Sequence, residues 1–104
     1  MIRDYDRRQR LISAVTVAAI QVGFADPVVV VTSWEAATAE VRVADVAGRA
    51  VIMSLDGLRY LGEVSDLELS SWLAGALRID RPFVGISLGG LCEELSQRKE
   101  AGES

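Results

Sequence analysis

Apolar positions fall into short blocks separated by Gly, Pro and Asp. The first block, residues 3 to 22, has neither Gly nor Pro. In it Leu11, Val15, Ala18 and Val22 recur at helical spacing. The same stretch holds Ile12, Val15, Thr16, Val17, Ile20 and Val22, a β-branched density typical of strands. Helix and strand both stay open there. Val28 to Val31 is a run of four valines, which predicts a central strand covered on both faces. Ser33 is a suitable N-cap, and a stripe of Ala37, Val41 and Ala44 predicts a helix from Glu35 to Ala47, stopped by Gly48. Ala50 to Leu55 reads as a second buried strand ended by the Asp56-Gly57 turn. Ser65 or Asp66 then caps a helix through Leu77, with Leu69, Trp72, Leu73 and Ala76 inward. Pro82 precedes a third strand, Phe83 to Ser87, and Gly89-Gly90 turns the chain into a last helix carrying Leu91 and Leu95. Val30, Ile52 and Ile86 are expected to be almost fully buried. Residues 97–104 read as a frayed tail.

The order from Pro27 is strand, helix, strand, helix, strand, helix. Such alternation predicts an α/β fold with a largely parallel central sheet and helices packed against it. With 104 residues and no internal repeat or linker, the expectation is one small domain over 1–104.

Charge and rare residues narrow the chemistry. The net charge is −4 and the pI about 4.7, which argues against binding through nucleic-acid phosphates. The chain has no histidine, which removes His-based triads, His-ligated metals and a His pH switch. The lone Cys92 excludes an internal disulfide and a cysteine-based zinc site. No cofactor is implied. Arg3, Arg7, Arg8 and Arg10 before the apolar stretch Leu11 to Ala25 trace the outline of a secretory signal, with Arg7-Arg8 hinting at the twin-arginine type. Asp4 and Asp6 among the arginines, and Ser13, Thr16 and Gln21 in the apolar run, favour a core element. Asp26-Pro27 ends that run short of a membrane span, so a cytoplasmic protein without membrane insertion is expected.

Gly85-Ile86-Ser87-Leu88-Gly89 matches G-x-S-x-G between a strand and a helix, resembling the nucleophile elbow of α/β-hydrolases. A serine nucleophile needs a base to take its proton, usually His. Without one, the bland reading is a close-packed strand-to-helix turn. Ser87, Gly89 and Gly90 could instead offer backbone N–H groups to an anion, although neither phosphate-loop form is present. Asp66 with Glu68, and Glu93 with Glu94, read as solvated helix positions rather than acid–base pairs. Trp34, Tyr60 and Trp72 suit either core packing or an interface.

From Gly48 to Leu95 the order of strand, short turn, helix, strand and final helix resembles the second half of a STAS domain, the module of anti-sigma-factor antagonists. Val28 to Val31 and Trp34 to Arg42 are similar to that family's preceding strand and first helix. The resemblance implies a bacterial-type, non-enzymatic regulatory module that contacts another protein. It places partner contacts on the turn and helix start at Arg59, Tyr60, Glu63, Ser65, Asp66 and Glu68. The family's Asp-Ser phosphorylation pair is absent; Glu63 puts a permanent negative charge there, and Ser65 is shifted. A rival resemblance, to TIR-like domains, rests on Ser71-Trp72 and Arg81 to Ile86. The nicotinamide-cleaving members use a Glu three residues after that Trp, and position 75 here is Gly. The other readings are a ligand-binding or degenerate enzyme-like domain using the Gly85–Gly90 turn, and a small acidic inhibitor-type protein. A homodimer also stays open.

Overall fold

The computed structural model describes residues 2–79 and 81–102, and the side chains of residues 5–79 and 81–97. The elements are α1 (Ile2–Val22), β1 (Val28–Trp34), β2 (Thr38–Ala44), β3 (Ala50–Asp56), a 3-10 helix (Leu58–Glu63), α2 (Asp66–Leu77), β4 (Phe83–Ser87) and α3 (Leu88–Gly102). The sheet has the order β1-β2-β3-β4. β1 with β2 and β2 with β3 are antiparallel, and only β3 with β4 is parallel. The α/β class holds, but the sheet is mixed rather than largely parallel.

The mixed sheet has one local origin. The expected helix from Glu35 to Ala47 is the tip of a hairpin followed by β2. From Thr38 to Val43 polar and apolar residues alternate, and Ala39, Val41 and Val43 are buried while Thr38, Arg42 and Ala44 are exposed. A period of two places one face of a strand on the core. The β-branched Val41 and Val43 favour that pairing over a helix. Ser33 therefore lies in β1, not at a helix cap, and Gly48 sits at φ 94° in the β2–β3 turn, where a side chain would strain the backbone. Asp45 organises this turn. Its carboxylate accepts from the N–H groups of Ala47 at 3.0 Å and Arg49 at 2.8 Å, and from Ala25 at 3.2 Å across the loop that follows α1.

The first apolar block is a helix. Leu11, Ala14, Val15, Ala18 and Ala19 form its buried stripe against α2 and β1, so tertiary packing overrides the β-branched preference. α1 closes with the Gly23 N–H on Ile20 and the Phe24 N–H on Ala19, the hydrogen-bond pair of a Schellman ending. Near its other end, Arg7 donates to the Leu58 carbonyl and Arg10 to the carbonyls of Leu61 and Val64. Arg10 also pairs with Asp66 at 2.7 Å. These contacts tie the 3-10 helix to α1.

One face of the sheet meets this helical layer. Val41, Val43, Met53 and Leu55 are buried there with Leu58, Leu61, Leu69, Leu73, Leu77, Leu88 and Leu91. The other face has no helix over it among the described residues. The valine run is thus an edge strand, not a central one, with Val28 and Val30 outward. Val30 is 49% exposed and Ile52 half-buried, against the expectation of full burial, whereas Ile86 is buried as expected. In α2, Leu69 and Leu73 face the core, while Trp72 and Ala76 are only half-buried. α3 starts at Leu88, so Gly89-Gly90 lies within its first turn rather than in a separate turn. The chain is helical as far as Gly102; the rest of the expected frayed tail lies outside the described residues. No described helix is long and apolar enough to cross a membrane.

Candidate functional site

The register of the sheet builds the most distinctive surface. Val30 stands opposite Arg42, Arg42 opposite Ile52, and Ile52 opposite Phe83. All four side chains point away from the helices, because alternate residues of a strand share a face. A row thus crosses the whole sheet. Val28, Ala44 and Ala50 form the adjoining row. Phe83 is 54% exposed and Val28 62%. Beside them Glu40 accepts from the Thr32 hydroxyl at 2.8 Å. Arg42, at the middle of the apolar row, has no ion-pair partner among the described residues.

The residues expected to meet a partner lie elsewhere, on the 3-10 helix and the start of α2, and several have internal tasks. Ser65 and Glu68 form a reciprocal capping box: the Glu68 N–H donates to Ser65 Oγ at 3.1 Å, and the Ser65 N–H donates to Glu68 Oε1 at 2.9 Å. Asp66 holds Arg10. Arg59 lies over its neighbour Tyr60, 5.0 Å from the ring centre, and donates to the Tyr60 hydroxyl at 3.1 Å. Glu63 is exposed and faces a groove with Glu68, Cys92, Leu95 and Ser96. Burial pushes the Cys92 thiol above its ordinary pKa, and the Glu63 and Glu68 carboxylates add to the rise, which disfavours the nucleophilic thiolate.

The G-x-S-x-G residues occupy the strand-to-helix junction that the motif implies. There Ser87 Oγ accepts from the Gly90 N–H at 3.3 Å, as an N-terminal cap of α3. The structure brings this turn against Tyr60, which a linear reading keeps apart. A Cβ on Gly89 would stand 3.3 Å from the Tyr60 ring, so glycine lets the ring pack on the turn. Tyr60 therefore covers part of the approach to the backbone of Gly89. Glu93 is exposed on α3, away from Asp66 and Glu68 in sequence and element.

Comparison with protein-family models, curated proteins and solved structures gives no match. Val28, Val30, Arg42 and Phe83 were not among the sequence-derived site residues. The signal that finds them is the alternation through Thr38–Ala44, which turns Arg42 to the same side as Val30 and Ile52 once β2 is a strand.

Proposed function

We propose that the chain is a non-enzymatic protein–protein contact module of regulatory type, and that its docking surface is the uncovered sheet face. The observation that carries this reading is the row Val30–Arg42–Ile52–Phe83. An uncovered group of large apolar side chains is a common mark of a contact surface. Arg42 states what the partner must offer. Covering this row with a purely apolar surface would bury an unpaired guanidinium, which is strongly unfavourable. The partner that fits presents a carboxylate ringed by apolar side chains, such as an acidic amphipathic helix. The non-enzymatic reading draws on Ser87 acting as a helix cap and on a chain without histidine to activate it. The STAS-type role and its partner edge at Arg59–Glu68 are compatible with this proposal, but Ser65, Asp66 and Glu68 already serve the fold, so the sheet face is the stronger surface.

The test is an NMR titration with two amphipathic peptides of equal hydrophobicity, one acidic and one basic. Shifts at Val28, Val30, Arg42, Ile52 and Phe83 with the acidic peptide alone, lost in Arg42→Glu, are the expected outcome. Equal response to both peptides, or shifts confined to Arg59–Glu68, would refute the sheet face as the docking surface.

A further inference from the structure

β4 is an edge strand, and the direction of its free backbone groups follows from the register. The Ile52 N–H donates to the Pro82 carbonyl at 2.8 Å, and Ile52 is level with Phe83. In a parallel ladder only alternate residues of a strand bond a given neighbour. Val84 and Ile86 therefore bond β3, and Phe83 and Gly85 aim their N–H and C=O groups at the open edge. Gly85 is the middle residue of the five in β4. A two-fold axis beside it would pair two β4 strands antiparallel, each Gly85 N–H donating to the other's carbonyl, with Phe83 level with Ser87 of the second copy. The pattern is self-complementary, as an isologous interface requires.

The flank of this edge is self-complementary too. A groove of about 420 Å³ runs between β4 and a second stripe made by Trp72, Gly75 and Ala76 of α2 with Ile79 just past its C-terminal end. This stripe is distinct from the one that α2 buries in its own core through Leu69, Leu73, Ala74 and Leu77. Its sizes run large, small, small, large. Two such stripes crossing antiparallel bring Trp72 against Ile79 and Gly75 against Ala76, and the small pair lets the helices approach. Ile79 is 51% exposed in the single chain. Neither β4 nor the stripe carries a charge. The opposite edge of the sheet is different: β1 is interrupted by a bulge between Val31 and Ser33, and Arg8 lies over its last residue, Trp34. Bulges and charges are the usual guards against edge pairing.

We propose that the occupant of the β4 edge and its groove is a second copy of this chain, giving a two-fold dimer with one continuous eight-stranded sheet. The interface meets the Arg42 row only at Phe83, whose backbone lies on the paired edge while its side chain stays on the uncovered face, and the contact-module reading, which rests on Arg42, is tested separately.

Light scattering coupled to size exclusion tests the proposal. The wild type should run at twice the 11.2 kDa chain mass. A Cβ on Gly75 would have open space around it, so Gly75→Glu and Gly75→Lys should keep the far-ultraviolet circular dichroism of the wild type. Each should run as a monomer, since like charges then meet at the helix crossing. Mixing the two variants should restore the dimer. In hydrogen exchange the Gly85 amide should be protected in the wild type and fast in Gly75→Glu. Arg42→Glu should leave the mass unchanged. A wild type that stays monomeric at high concentration, a Gly75→Glu variant that stays dimeric, a mixture that stays monomeric, or a dimer split by Arg42→Glu instead would each overturn the proposal.

Discussion

Met53 and Ile52 are neighbours in β3, similar in size and hydrophobicity, and they stand on opposite sides of one sheet. Met53 is fully buried under the helical layer, while Ile52 is only half-buried, in the open row between Arg42 and Phe83. The same division runs through β2, where Val41 and Val43 are buried and Arg42 is exposed. A four-stranded sheet with helices on one side has only one face that must be apolar for folding. Apolar side chains on the other face have weak structural reasons to be there, which is why Val28, Val30 and Phe83 carry the functional argument and Met53 does not.

The largest expected effect sets this division against itself. Met53→Ala should destabilise the protein by about 2–5 kcal/mol, because transfer energy is lost and a cavity remains in a closed core. Ile52→Ala removes a comparable side chain next door and should cost less, about 1–2 kcal/mol, since that side chain is only partly buried and its loss leaves no closed cavity. Urea unfolding of the two variants side by side measures both. Equal losses would mean that the outer face is packed in solution, and the contrast between the faces would fail.

In the helical layer α2 and α3 were legible in the sequence and α1 only as one of two readings, while the outer face was not legible. Leu69 and Leu73 recur at helical spacing behind the Ser65–Glu68 cap, and α2 is found where that pattern puts it. Ala50–Asp56 and Phe83–Ser87 were legible because turn residues bound each apolar run. β2 was hidden by its alanines: Ala37, Val41 and Ala44 fit a helical stripe, yet Ala37 lies in the hairpin and Ala44 is on the opposite face from Val41. Alternation and helical spacing overlap over so few residues, and the long-range pairing of β2 with both β1 and β3 decides between them. Misplacing β2 also turned the valine run into a central strand and hid the Arg42 row. The packing of Tyr60 on Gly89 joins positions 29 apart in the chain, and no local pattern announces such a contact.

A middle-sized effect tests the border between the layers. Asp45 ends β2 and holds both the β2–β3 turn and the loop leaving α1. Its partial desolvation raises the carboxyl pKa, but the N–H donors of Arg49, Ala25 and Ala47, helped by the Arg49 charge, outweigh this and leave it below that of an ordinary aspartate. A carboxylate with a lowered folded-state pKa contributes stability above its unfolded pKa, about pH 4, and loses it as pH falls through the folded value. Asp45→Asn should therefore be less stable than wild type at neutral pH, with the gap narrowing as both are taken below about pH 4. Thermal melts across that range read the gap. A difference that stays constant with pH would show that the charge of Asp45 does not hold the turn.

The smallest expected effect is a matched pair of valines. Val31 is level with Val41 across β1 and β2, while Val30 is level with Arg42. Val41 is buried and Val30 is half-exposed. Threonine keeps the β-branched shape that suits a strand and exchanges one methyl for a hydroxyl. At position 41 that hydroxyl enters the core beside Met53 and Leu55, and burying it without a partner should cost about 1–3 kcal/mol. At position 30 the hydroxyl keeps contact with water, so Val30→Thr should stay within about 0.5 kcal/mol of wild type. The readout is a pair of chemical melts, accompanied by fluorescence of a dye that binds exposed apolar surface. Val30→Thr should lower the dye signal with the fold intact, as the removal of one apolar group from the docking row requires. If Val30→Thr cost as much as Val41→Thr, the outer face would be part of the folded core and could not be a free contact surface.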